Sequence, residues 1–107
     1  MKKYIELKKN PAATHLCVET YYDLGGTSWS TGRIKERGYY LRVKPVTKET
    51  RYGVQIESFV AFTGIYQLVK PVTRQSAKAA QAADIAAAEI EKTLIEYVLK
   101  DQQLELA

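Results

Sequence analysis

The hydrophobic period of this chain changes once, and that change restricts what it can fold into. Up to about residue 59, apolar and polar residues alternate; from residue 76 the apolar ones recur every three to four positions. A period of two lays one face of a strand on a core, and a period near 3.6 lays one stripe of a helix there. Strands followed by one long helix, within 107 residues, share a core when the helix lies across one face of a sheet. The expected fold is therefore α+β, a single domain over 1–107. It is a four-stranded antiparallel β-sheet with a long C-terminal α-helix packed on one face. The expected strands cover about 3–8, 14–23, 38–46 and 51–59, and the helix about 76–101.

The alternation assigns faces. Leu16, Val18, Thr20 and Tyr22 oppose Cys17, Glu19, Tyr21 and Asp23. Tyr39, Leu41 and Val43 oppose Tyr40, Arg42 and Lys44, which are expected in solvent. Thr47 to Thr50 is a polar connection of hairpin length, so the strands flanking it should pair directly. Beyond it Tyr52, Val54 and Ile56 are expected inward, with Gln55 and Glu57 outward.

Two readings compete for the next segment. Thr63 can cap a short helix at 63–70 carrying Ile65, Tyr66, Leu68 and Val69, ended by Pro71. Alternatively, Gly64–Arg74 resembles Gly38–Lys48, which would make it a fifth strand. The short helix is preferred, because Ile65, Leu68 and Val69 fit a helical stripe.

Ser76 is the expected N-cap of the long helix. Ala79, Ala80, Ala83, Ala87, Ile90, Leu94, Tyr97 and Val98 form its core stripe. A second stripe, Ile85, Ala88, Ile95 and Leu99, is left to contact the short helix or a second copy of the chain in a homodimer. Gln102 to Ala107 are expected to fray.

Several function classes are excluded by what the chain lacks. No apolar run approaches the roughly 20 residues that span a bilayer, so no membrane partner is expected. The basic start has no apolar stretch before Lys8 and Lys9, and the expected compartment is cytoplasmic. One cysteine and one histidine supply neither a disulfide nor a zinc site, so no metal and no cofactor are expected. Gly26 to Gly32 lacks the Gly-Lys-Ser/Thr ending of a phosphate loop. His15 and Cys17 sit about 7 Å apart along a strand, too far for an assured nucleophile pair. Glu6, Glu19 and Glu57 can share a face, but Arg42 and Lys44 lie there too, which favours ion pairs over acid–base work. An enzyme is not expected.

Charge is the feature that points to a partner. The net charge is +4, yet residues 31–52 alone carry seven basic and two acidic residues, while 76–107 carry three basic and six acidic. An ordinary solvated hairpin beside a solvated helix gives the same asymmetry. The basic stretch is also rich in tyrosine and follows a small-residue loop holding Trp29. The candidate site is Trp29, Arg33, Lys35, Arg37, Tyr40, Arg42, Lys44 and Arg51. Cations neutralise phosphates while aromatic faces stack bases, so the candidate ligand is single-stranded DNA or RNA. Strand propensity accounts equally for the tyrosines, and Trp29 can instead fold over a sheet edge. A protein-interaction module is the competing function.

The sheet-then-helix order is similar to that of a transcriptional-coactivator family of single-strand binders, whose strands bind nucleic acid and whose helices dimerise. The resemblance is one of topology and charge. At the level of whole-chain texture, Tyr4–Lys9, Thr14–Tyr22, Arg37–Leu41 and Thr63–Ile65 resemble small uncharacterised proteins of Gram-positive bacterial mobile elements. That resemblance implies no activity and no catalytic residue. It implies accessory cargo in a setting where single-stranded DNA is common.

Overall fold

A computed structural model describes residues 1–27, 29–59 and 64–107, and there the chain is α+β with one long C-terminal helix. The elements are β1 (Lys2–Glu6), β2 (His15–Asp23), β3 (Gly26–Thr27), β4 (Ile34–Lys35), β5 (Gly38–Arg51), β6 (Val54–Phe59), β7 (Ile65–Pro71) and α1 (Ala77–Gln102). The main sheet has five strands rather than four, in the order β1-β2-β5-β6, with β7 also pairing β5. The pairings are antiparallel. β3 and β4 form a separate two-stranded arm.

The fifth strand replaces the short helix expected at 63–70; the expected cap, Thr63, lies outside the described residues. The reason is the length of β5. Its 14 residues present more edge than β6 can pair. β6 pairs Val46–Arg51, and β7 pairs Gly38–Val43 on the same side. Those backbone groups would otherwise be open. A register shift between Tyr39 and Tyr40 absorbs Val69, so Leu68 lies opposite Tyr40 while Val69 packs on the core. The two echoed segments are thus partners in one ladder.

β5 also runs through Thr47–Thr50, expected to be the connection. The turn is Tyr52-Gly53, with φ of 54° and 77°. Positive φ at both central residues matches the twist of a two-residue hairpin. β2 stops pairing at His15 opposite Val46, so the β5–β6 tip extends past it. α1 packs on β2, β5 and β7 but not on β6. Tyr52, Val54 and Ile56, expected inward, are consequently exposed.

The core lies between sheet and helix. Leu16, Val18, Leu41 and Val43 meet Ala87, Leu94, Ile95 and Val98. Ala83 and Ala87 have no exposed surface, and their small side chains let the helix approach closely. Ser76 is the N-cap, its hydroxyl accepting from the Ala79 N–H at 3.0 Å. The second helical stripe divides. Ile95 is buried and Leu99 packs on the core, while Ile85 and Ala88 are exposed. The reason is that Ile5, Leu7 and Leu104 supply apolar surface to that side of the cluster.

The expected fraying of Gln102–Ala107 also gives way to structure. Gln103 takes a left-handed conformation and Leu104 is buried. The Lys8 N–H donates to the Glu105 carbonyl at 2.8 Å, and the Ala107 N–H to the Glu6 carbonyl at 3.0 Å. The tail lies along the edge of β1. No helix among the described residues is long and apolar enough to cross a membrane.

Candidate nucleic-acid interface

The face of the sheet away from α1 carries the residues that alternation assigned to solvent, but it is not an open basic surface. The sheet coils over itself. β1 and β6 are separated by β2 and β5, about 14 Å if the sheet were flat. Yet the Tyr4 hydroxyl donates to Glu57 Oε2, and Lys48 Nζ lies 4.1 Å from the Tyr4 ring centroid. Coiling closes a polar second layer. Cys17 and Tyr40 are buried there, with Glu19 and Lys44 each 9% exposed.

Glu19 organises that layer. Its Oε1 accepts from Arg42 Nε at 3.0 Å and from Arg42 Nη2, and lies 3.3 Å from Lys44 Nζ. Lys2 Nζ is 4.0 Å from Oε2. Burial pushes the Glu19 carboxyl up. The Arg42 hydrogen bonds and the charges of Arg42 and Lys44 outweigh burial and hold it below its ordinary value. Arg42 also lies over the Tyr21 ring at 4.5 Å. Two cations expected to meet phosphate are therefore engaged by an internal carboxylate. Cys17 beside them has its thiol pushed up by burial, then by the Glu19 charge, so it is held protonated.

The arm, residues 24–27 and 29–37, is built differently. Asp23 Oδ1 accepts from the Gly25 N–H at 2.8 Å, turning the chain out of β2. Gly25 has φ of 69°, and a Cβ there would lie 2.5 Å from the Lys35 carbonyl oxygen. Thr27 pairs with Ile34, and Gly26 with Lys35. The Arg37 Nε donates to the Leu24 carbonyl at 2.9 Å, closing the arm's base.

Lys35 ties the arm to the sheet. Its ammonium lies 4.3 Å from the Tyr66 centroid, 4.5 Å from Tyr40 and 5.5 Å from Tyr21. It donates to Asp23 Oδ2 at 2.8 Å and to the Tyr21 hydroxyl at 3.3 Å. Burial alone would lower the Lys35 pKa, but the bonds to Asp23 and Tyr21 raise it. The same Lys35 bond, then the Gly25 N–H, hold the Asp23 carboxyl down. Beside this cluster opens a cleft of about 700 Å³ lined by Arg33, Lys35, Glu36, Tyr40, Tyr66 and Leu68 among others.

The eight candidate residues thus separate. Lys35, Arg42 and Lys44 are engaged by Asp23 and Glu19. Tyr40 is buried and its hydroxyl donates to the Glu36 carbonyl at 2.5 Å. Arg51 sits on the far hairpin tip, paired with Glu49 at 2.9 Å. Trp29, Arg33 and Arg37 share the arm and are exposed, Trp29 fully so. Leu24 and Ile34 add exposed apolar surface to it. Sequence reasoning placed Tyr66 on the short helix and missed it as a site residue; it is 57% exposed at the cleft. The echo of Gly38–Lys48, read as a strand, would have located it, since Tyr66 occupies the place of Tyr40. Among the described residues no group of three or more His, Cys, Asp or Glu side chains converges as a metal site would require.

The chain matches no family model, no curated protein and no solved structure.

Proposed function

We propose that the chain is a non-catalytic binder of single-stranded nucleic acid that works through the arm rather than through the sheet face. The observation that carries this reading is the arm itself. It presents the single tryptophan of the sequence fully to solvent on the same short hairpin as Arg33 and Arg37. Base stacking on Trp29 and phosphate contact by the two guanidiniums are the elements such binding uses. Tyr66, in the adjoining cleft with Arg33, offers a second ring for a neighbouring base. The acidic helix lies on the opposite face of the sheet, where it does not oppose the ligand's charge. A mobile-element setting, where single strands form, suits the reading, and one copy of the chain suffices for it.

A labelled single-stranded DNA titrated across a salt series tests it. Affinity must fall steeply as salt rises, with a slope of about 0.7 per phosphate neutralised. Absence of binding at low salt removes the proposal. Leu24 and Ile34 beside Trp29 favour a second reading, in which the arm docks on a protein. Salt-insensitive binding to a protein target, lost in Ile34→Ser, would support that one.

A further inference from the structure

The coiled sheet closes where β1 meets β6, and it closes through side chains. Among the described residues no backbone pairing joins the two strands. The Tyr4 hydroxyl donates to Glu57 Oε2, and Lys2 Nζ lies 3.9 Å from the same oxygen. Lys48 Nζ sits 4.1 Å from the Tyr4 ring centroid, and Lys2 Nζ 5.7 Å from it. This seam is polar and part-exposed, with half of the Lys2 side chain in solvent.

Cys17 lies beside the seam. It is the single cysteine of the chain and has no exposed surface. Its ladder partners are Tyr4 on β1 and Lys44 on β5. Directly opposed residues of antiparallel strands share a face, so Tyr4, Cys17 and Lys44 stand side by side in the polar layer. Burial first, then the charges of Glu19 and Glu57, push the Cys17 thiol up, while Lys44 and Lys2 act the other way. Glu57 thus reaches the thiol's surroundings from β6, and Tyr4 reaches them from β1.

The two sides of the seam are supported unequally. On the opposite face α1 packs on β2, β5 and β7 over the apolar core. β6 has no such cover among the described residues, and residues 49–56 are all exposed. The β5–β6 hairpin is rooted at Thr14. The Thr14 N–H donates to the Val46 carbonyl at 3.0 Å, and Thr14 Oγ1 accepts from the Lys48 N–H at 2.9 Å. Beyond that root, the seam side chains draw the hairpin toward β1. Part-exposed polar contacts are weak beside core packing. Elements with few buried apolar contacts open locally, well below the cost of unfolding the whole.

We infer that the seam between β1 and β6 is a gate over Cys17. Tyr4 and Glu57 part while the β1–β2 and β2–β5 ladders and the helix-covered core stay in place. The parting admits small molecules to the Cys17 thiol and to the Glu19 layer next to it. The moving part is the β5–β6 hairpin beyond Thr14; the fixed part is what α1 covers. The gate stands apart from the arm, and nucleic-acid binding plays no part in it.

The test reads the rate at which N-ethylmaleimide adds to Cys17 of the intact chain, followed by mass, at rising urea below the unfolding midpoint. Passage through a gate gives a rate that depends on urea far less than global unfolding does, because parting the seam exposes little surface. Tyr4→Phe keeps the ring and removes the hydroxyl, and is expected to raise the rate about tenfold. Glu57→Ala should raise it at least as much, and Glu57→Gln, which keeps an acceptor for Tyr4, should stay within about threefold of wild type. Ile95→Val trims the core on the helix side, which the open and closed gate share. It should lower the urea midpoint by circular dichroism and leave the labelling rate unchanged. A wild-type rate that climbs with urea as steeply as global unfolding overturns the inference. So does an unchanged rate in Tyr4→Phe, or a rate in Ile95→Val that rises in step with its loss of stability.

Discussion

The Lys35 ammonium lies 4.3 Å from the Tyr66 ring centroid. That one relationship couples the arm, which is short and exposed, to β7, which is part of the sheet. A cation over a tyrosine face is worth about 0.5–2 kcal/mol depending on its exposure. Here Tyr40 and Asp23 reinforce it. The latch adds to the ties the arm makes at its base, where Arg37 donates to the Leu24 carbonyl and Gly25 to Asp23.

Lys35→Gln should therefore loosen the arm without unfolding the sheet. Trp29 is the only tryptophan, so its fluorescence anisotropy decay reports the arm directly. Faster depolarisation is expected, with a global stability loss of about 1 kcal/mol or less because Lys35 is partly exposed. Lys35→Arg, which keeps the charge, should retain most of the slow decay. An unchanged decay in Lys35→Gln would show that the hairpin holds itself.

Glu19→Gln should be costly to the fold. The change removes the carboxylate that Arg42 and Lys44 share and leaves the buried Lys44 ammonium facing the half-buried Arg42 guanidinium. A loss of about 1–2 kcal/mol in urea unfolding is expected, below the cost of breaking a fully buried pair because solvent screens Arg42. An effect below about 0.5 kcal/mol would place the hub in effective contact with solvent.

The same hub gives a pH dependence. Glu19 has a folded pKa below its unfolded one, and Asp23 likewise. Their stabilisation is complete above the ordinary carboxylate range of about 4 and is lost as pH falls through the lower folded values. Wild-type stability should drop in that acid window. Glu19→Gln should show a shallower acid slope than wild type, measured as thermal midpoint against pH.

Nucleic-acid binding should follow the arm and ignore the hub. Trp29→Ala should lose about 1–3 kcal/mol of single-strand affinity. Arg33→Ala should weaken binding about uniformly across sequences and lower the salt slope by about one phosphate. Arg42→Ala should leave both affinity and slope close to wild type in any fraction that remains folded. If Arg42→Ala removes the salt dependence and Arg33→Ala does not, the ligand lies on the sheet face.

The hairpin turn offers a check on backbone conformation alone. Tyr52 holds a φ of 54° with its side chain fully in solvent. Asparagine tolerates that conformation better, and Asn-Gly is the favoured pair for such a turn. Tyr52→Asn should raise stability by about 0.5 kcal/mol. Gly53→Ala, at φ of 77°, should lower it by about 1 kcal/mol. The opposite ordering in thermal melts would show a different turn.

Much of the architecture was legible in residue order. The period change separated strands from helix. Alternation put Leu16, Val18, Leu41 and Val43 on the helix side, where they are. Ser76 announced the helix start. The candidate site was legible only in part. Residue types picked out Trp29, Arg33 and Arg37 together with Arg42 and Lys44. Nothing in their spacing said that the second pair would find Glu19, because that meeting depends on pairing between β2 and β5. Nor could alternation distinguish a face in solvent from one closed by the sheet's own coiling, since both read as polar positions at period two.

The sequence by itself determined the class of fold, the core stripe of the helix apart from Tyr97, which is exposed, and the surplus of positive charge in residues 31–52. These follow from local periodicity and composition, which need no long-range contact to be read. Tertiary structure alone decided which of those charges remain available. It also paired the two echoed segments as β5 and β7, docked the tail on β1 and set Lys35 among three tyrosines. The physical reason is that charge and aromaticity belong to residues, whereas neutralisation and burial belong to pairs of residues that the chain brings together only on folding.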